Sequence, residues 1–138
     1  MERTTGAADT RLSKVMDAEQ LLEAQQMVKE VMMAEDILAY AVDIVMATNP
    51  FNNDALDEVK QFVQYGSGPR GVQSIIKLAK ARALMNGRFH VSVADIKAVA
   101  KPALRHRMLL NYEGEAAEKT TDYLVDVLLM KVQQGASV

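Results

Sequence analysis

From residue 17 onwards the apolar side chains recur at intervals of three and four, the spacing of one helix face. Asp17 and Gln20 form a D-x-x-Q capping pattern ahead of Leu21, Leu22, Val28 and Val31, which predicts a first helix over about 18–32. A second stripe, Ile37, Leu38, Ala41, Ile44 and Val45, runs into Thr48-Asn49-Pro50, where proline pushes the preceding residue out of the helical region. Residues 50–69 are less regular. Asn52-Asn53-Asp54 signals a turn, while Leu56, Val59, Phe62 and Val63 fit either a short helix or an extended piece. From Arg70 the pattern is clear again: Val72, Ile75, Ile76, Ala79 and Ala83 make one face, Lys77, Lys80 and Arg88 keep the exposed side cationic, and Asn86-Gly87 is the stop signal.

Arg88 to Val91 reads as a brief extended link, and Ser92-Val-Ala-Asp95 as a capping-box variant that starts a helix with Val93, Ile96 and Val99 inward. Pro102 is predicted to interrupt that helix and to begin another, from Ala103 to Leu110, because proline suits a first helical turn. A polar connection from Asn111 to Lys119 precedes a last helix, capped by Thr120 or Thr121, with Leu124, Val125, Leu128, Leu129 and Val132 as its buried stripe. Residues 1–16 read as a linker or disordered arm, 17–133 as one folded domain and 134–138 as a disordered tail. The predicted fold is all-α, a small bundle of about five to six helices.

Composition agrees with one domain around one core: 138 residues, 49% hydrophobic and 25% charged, with only three prolines and seven glycines beside nine methionines. It also narrows the chemistry. Without cysteine there is no disulfide, thiolate metal site or thiol nucleophile, and two histidines do not make a conventional zinc site, so no metal is expected. No apolar run approaches the ~18 residues of a membrane span. The N-terminus lacks the apolar stretch of a secretion signal, so a cytoplasmic location is expected.

The net charge of −2 hides a segregation. Residues 1–69 hold 5 Lys/Arg against 12 Asp/Glu, residues 70–107 hold 9 against 1, and residues 108–138 hold 2 against 5. A cationic middle third either attracts phosphate, of a nucleotide or of nucleic acid, or neutralises the acidic thirds beside it. Few aromatics for stacking on bases, and no recognition helix rich in Asn, Gln and Arg, argue against nucleic acid.

The most informative stretch is Tyr65-Gly66-Ser67-Gly68-Pro69-Arg70-Gly71. Three glycines and a proline build a defined turn that presents Arg70 at the start of the cationic helix, where first-turn N–H groups and the helix dipole also favour an anion. An arginine there opposes the dipole unless an anion is near, so it is either part of an anion site or an exposed residue of an ordinary turn. Gly66 and Gly71 have the outer spacing of a phosphate-binding loop, but Val72 stands where lysine is required and no apolar strand precedes the motif. His90 and His106 lack acidic residues at ligand spacing, and Glu113, Glu115 and Glu118 read as a solvated connection. On a helix Arg105 and Arg107 would point about 200° apart, so at most one would face any single ligand.

Taken in order, Y-G-S-G-P-R-G, the basic helix ending A-L-M-N-G-R, then F-H-V-S-V-A-D-I, L-R-H-R-M-L-L-N-Y-E-G-E-A and a final helix resemble the C-terminal lid subdomain of MoxR-type AAA+ ATPases over about residues 17–133. The resemblance implies an AAA+ lid bundle in which Arg70 is the second sensor, touching the terminal phosphates of ATP, with Gly66, Ser67, Gly68 and Pro69 as the turn that presents it. Gly68 stands where the family pattern usually has serine, a departure that loosens the turn. Walker A, the Walker B acid, the first sensor and the arginine finger are not found in this sequence, so on its own it is not expected to be an enzyme; ATP or ADP with magnesium would be bound mainly by the core. The implied partners are that AAA+ core, neighbouring ring subunits and proteins with von Willebrand factor A domains. The competing reading is a stand-alone nucleic-acid-binding or protein-interaction module that uses the basic 70–107 segment.

Overall fold

The computed structural model describes residue 6 and residues 11–133. Most of the expected arm, residues 1–5 and 7–10, and the expected tail, 134–138, lie outside the described residues. Residues 11–17 carry no regular element and are exposed.

Seven helices and one small sheet make up the described residues: α1 Ala18–Glu30, α2 Glu35–Met46, α3 Asp57–Phe62, β1 Val63–Tyr65, α4 Pro69–Met85, α5 Val93–Leu104, β2 Leu109–Leu110, α6 Tyr112–Ala116 and α7 Thr121–Lys131. The all-α expectation holds, with five long helices and two short ones. Local chemistry sets the boundaries. Asp17 closes a reciprocal capping box with Gln20 at the start of α1, and Ser92 does the same with Asp95 at the start of α5. Thr120 caps α7 by accepting the Tyr123 N–H at 3.0 Å, and Gly87, at φ +75°, ends α4.

The undecided stretch 50–69 contains both forms. Val59 and Phe62 are buried from the short α3, and the chain then straightens into β1, which pairs antiparallel with β2 in the register Val63↔Leu110 and Tyr65↔Leu109. Asn111 fastens the pair from outside: its N–H donates to Phe62 O at 2.9 Å and its Nδ2 to Gln61 O at 2.7 Å.

Two expectations are corrected. Helix α5 does not stop at Pro102 but runs through it to Leu104, and residues 105–107 form a turn instead of a new helix. Proline removes the N–H that would bond Ala98 O, yet Ala98 and Pro102 face solvent, while Val99, Ala100, Ala103 and Leu104 are buried on the other side. Burial therefore outweighs one lost hydrogen bond. Leu109 and Leu110 are strand, since their backbone is needed by β1. The polar connection 111–119 also holds a short helix, α6, seated by a buried Gly114.

The core lies between α2, α4, α5 and α7. Ile44, Ile75, Ile96, Leu104, Leu124 and Leu128 are fully buried, and Ala79, Ala83, Ala100 and Ala103 let α4 and α5 approach closely. The stripes expected on α2, α4 and α7 are the observed core faces, apart from Leu38 at 39% exposure. Helix α1 is different: it lies against α4, with Lys80 Nζ reaching Lys29 O at 3.5 Å, but buries no residue of its own.

Candidate functional site

The turn at residues 66–69 joins β1 to α4. Strand pairing sets its entry, and proline at the first helical position sets its exit. Between these points it rests on Thr48, a fully buried residue two positions past the end of α2. The Thr48 hydroxyl donates to Val45 O at 2.6 Å and accepts the Ser67 N–H at 2.8 Å. Gly66 lies so close that a Cβ there would sit 2.4 Å from Thr48 O. On the far side, a Cβ at Gly71 would meet Ser67 Oγ at 2.0 Å and Leu104 Cδ2 at 3.0 Å. Ser67 is thus packed under the first turn of α4.

Gly68 caps α4 in an extended conformation, φ −92° and ψ −168°, with open space around it. Gly68 itself supplies no side-chain cap, and the fixed points of the turn are Gly66, Ser67 and Gly71. Arg70 follows as the second helical residue, exposed, and its guanidinium makes no hydrogen bond or ion pair among the described residues. The backbone offers less to an anion than an ordinary helix start: Pro69 has no N–H, and that of Gly71 donates to Gly68 O at 2.9 Å. An anion at this end meets mainly the guanidinium.

Two shallow grooves flank the turn. One, about 250 Å³, is lined by Val42, Val45, Met46, Ser67, Gly68, Pro69 and Val72. The other, about 210 Å³, lies between Met46, Asn49, Phe51, Tyr65 and Gly66.

Residues 57–126 match the family model described as the AAA lid domain. The chain belongs to the AAA lid domain family, as a lid of the MoxR type. Chaperone MoxR1 of Mycobacterium tuberculosis is 28% identical over 96% of this chain and 38% of that protein. The uncharacterized protein YeaC of Bacillus subtilis is 31% identical over 91% of this chain and 38% of that protein. The crystal structure of a candidate ATPase from Cytophaga hutchinsonii superposes with a TM-score of 0.85 at 29% identity, over 96% of this chain and 40% of that one. The lid spans about two fifths of the length of these relatives.

The cationic middle third of the lid divides into two groups. Arg82 and Arg88 bind Asp95, Lys101 binds Asp126 at 2.8 Å, and Arg105 binds Asp122 at 3.1 Å. Arg107 is held by Ser74 Oγ at 2.9 Å and Ala103 O at 3.1 Å. Much of the positive charge thus neutralises acidic residues in the fold, whereas Arg70, Lys77 and Lys97 have no partner among the described residues. Two expectations change here. Arg88 is not on the exposed cationic side of α4 but clamps a buried carboxylate. Arg105 and Arg107 lie in a turn, so the 200° separation expected of a helix does not apply.

Among the described residues no group of three His, Asp or Glu could hold a metal ion, and no helix is long and apolar enough to cross a membrane. Sequence reasoning missed Thr48 as part of the site and treated it only as a helix stop. Its partner lies 19 residues away, and nothing in the local pattern announces the contact.

Proposed function

We propose that this lid reports the nucleotide state of its AAA+ core through Arg70. The observation that carries the reading is a guanidinium with no partner among the described residues, held at the start of α4 by a turn fixed on both sides. Gly66, Ser67, Gly68 and Pro69 shape that turn, and the residues fit an anionic ligand: among the described residues the guanidinium at the helix start has no hydrogen bond or ion pair.

The nucleotide, with its magnesium, supplies the terminal phosphoryl charge and the bond whose cleavage removes it. Arg70 holds those oxygens by charge-assisted hydrogen bonds and loses them once a diphosphate remains. The favoured orientation of the lid therefore differs between the two states, because only a contact made in one state can shift the balance between them. The same guanidinium stabilises charge as the transferring group separates. Residues 17–133 are the lid, 1–16 the arm leading into it and 134–138 a tail. Ring assembly, chaperone-like remodelling of partner proteins, including those with von Willebrand factor A domains, and a cytoplasmic location complete the proposal; similarity to the chaperone MoxR1 of Mycobacterium tuberculosis supports the remodelling.

The test is Arg70→Ala in the ATPase with its core present. Turnover should fall by roughly 10- to 100-fold, the scale of one lost hydrogen bond to a charged group, about 1.5–3 kcal/mol. Turnover equal to wild type would remove Arg70 from the site.

A further inference from the structure

Two polar or charged side chains are buried among the described residues, Thr48 and Asp95. Asp95 is fully engaged by Arg82, Arg88 and Ser92, all on or beside α4 and α5. Thr48 belongs to neither helix, and its hydroxyl joins the end of α2 to the turn before Arg70. A hydroxyl has one proton to donate. With that proton directed to Val45 O at 2.6 Å, a lone pair is left facing the Ser67 N–H at 2.8 Å, so the first bond orients the second. Gly66 sits against the backbone of the same residue with no room for a side chain. Consecutive turn residues, three and four positions before Arg70, are thus fixed on a single buried anchor, while Gly71, one position after it, is packed against Ser67 and Leu104.

We propose that Thr48 is a positioning residue for Arg70: its buried hydroxyl sets the course of the turn and hence the direction in which the guanidinium leaves α4. This rests on the nucleotide-reporting role argued above. Exposed glycine at 68 contributes no side-chain cap, so the aim of Arg70 depends on the contact at residue 48. Valine has nearly the shape of threonine but cannot accept the Ser67 N–H, and serine keeps the acceptor while losing a methyl group.

Thr48→Val, Thr48→Ser, Gly66→Ala and Arg70→Ala separate the possibilities. In this chain, hydrogen exchange at the Ser67 amide should quicken by roughly tenfold in Thr48→Val, the scale of one lost buried hydrogen bond, and stay near wild type in Thr48→Ser. In the ATPase with its core, the preference for ATP over ADP should fall by roughly tenfold in Thr48→Val and be restored in Thr48→Ser, even though the serine variant melts at a lower temperature. In Thr48→Ser stability would then fall while nucleotide preference is kept, a separation that a purely structural role does not produce. Gly66→Ala reaches the same contact from the turn side and should reproduce both losses if Thr48→Val is too unstable to purify. A Thr48→Val protein with wild-type preference, or a Thr48→Ser protein that fails to restore it, overturns the positioning role while Arg70→Ala still reports on the underlying reading. If Arg70→Ala itself keeps the preference, the nucleotide reading and the positioning role both fall, and Ser67 exchange measures a structural anchor only.

Discussion

Arg88 closes a two-point fork on Asp95: Nη1 donates to Oδ2 and Nη2 to Oδ1, both at 2.7 Å. Arg82 Nη1 adds a third bond at 2.5 Å, and the Ser92 N–H and hydroxyl donate to Oδ2 at 2.8 and 3.0 Å. One buried carboxylate thereby joins the C-terminal end of α4, the link after it and the N-terminus of α5, the helix pair that carries Arg70 at its other end.

The acid sensitivity of the fold follows from that fork. Arg88 first, then the Ser92 N–H and Arg82, hold the Asp95 carboxyl well below the usual carboxylate range, against the opposing effect of burial. A depressed value in the folded state means that the unfolded chain binds the proton more readily. The contribution is therefore complete above the unfolded value near ~3.9 and is lost progressively as pH falls through and below it. Urea unfolding of the wild type should weaken steadily from about pH 5 downward. Asp95→Asn should lower stability at pH 7 by about 2–3 kcal/mol and flatten that slope. An unchanged acid slope in Asp95→Asn would show that other carboxylates control it.

Glycines 66 and 68 should respond in opposite ways. A Cβ at 66 meets a backbone carbonyl that cannot rotate away, so Gly66→Ala should cost about 1–3 kcal/mol in a thermal or urea melt. A side chain at 68 meets nothing within 4 Å, and the backbone there is extended, so Gly68→Ser should be neutral or stabilise by a few tenths of a kcal/mol, roughly, through an added N-cap. A Gly68→Ser variant less stable than Gly66→Ala would contradict this account of the turn.

Helix faces were legible because each is a local pattern. The stripe Ile37, Ala41, Ile44 and Val45 and the boxes Asp17-Gln20 and Ser92-Asp95 need only three- and four-residue spacing, and the structure shows all of them. Arg70 at a helix start was equally local. The pairing of Val63 with Leu110 was not, since two- and three-residue strands have no period to detect. Thr48 under Ser67 and Arg107 on Ser74 are long-range contacts made by residue types common on surfaces. Arg88 misled because a cation beside a basic helix reads as solvated unless its buried partner is known. The proline rule at Pro102 was sound locally but was outweighed by burial on the opposite face of the helix.

Pro102 therefore remains a local cost inside a helix the core maintains, and its replacement should stabilise the lid. Proline in a helix interior is about 3 kcal/mol worse than alanine, from the missing N–H and from the ring against the carbonyl four residues back. Part of that is already relieved, because the affected carbonyl belongs to the exposed Ala98 and water can reach it. Proline also restricts the unfolded chain, which returns up to ~1 kcal/mol to the wild type. The balance leaves Pro102→Ala more stable by about 1–2 kcal/mol, read as a higher urea midpoint with unchanged slope. Because Pro102 is exposed and its neighbours Ala103 and Leu104 keep their packing, the Arg70 turn should be undisturbed. A loss of stability in Pro102→Ala would mean that the proline contributes to the packing of α5 and is not merely tolerated by it.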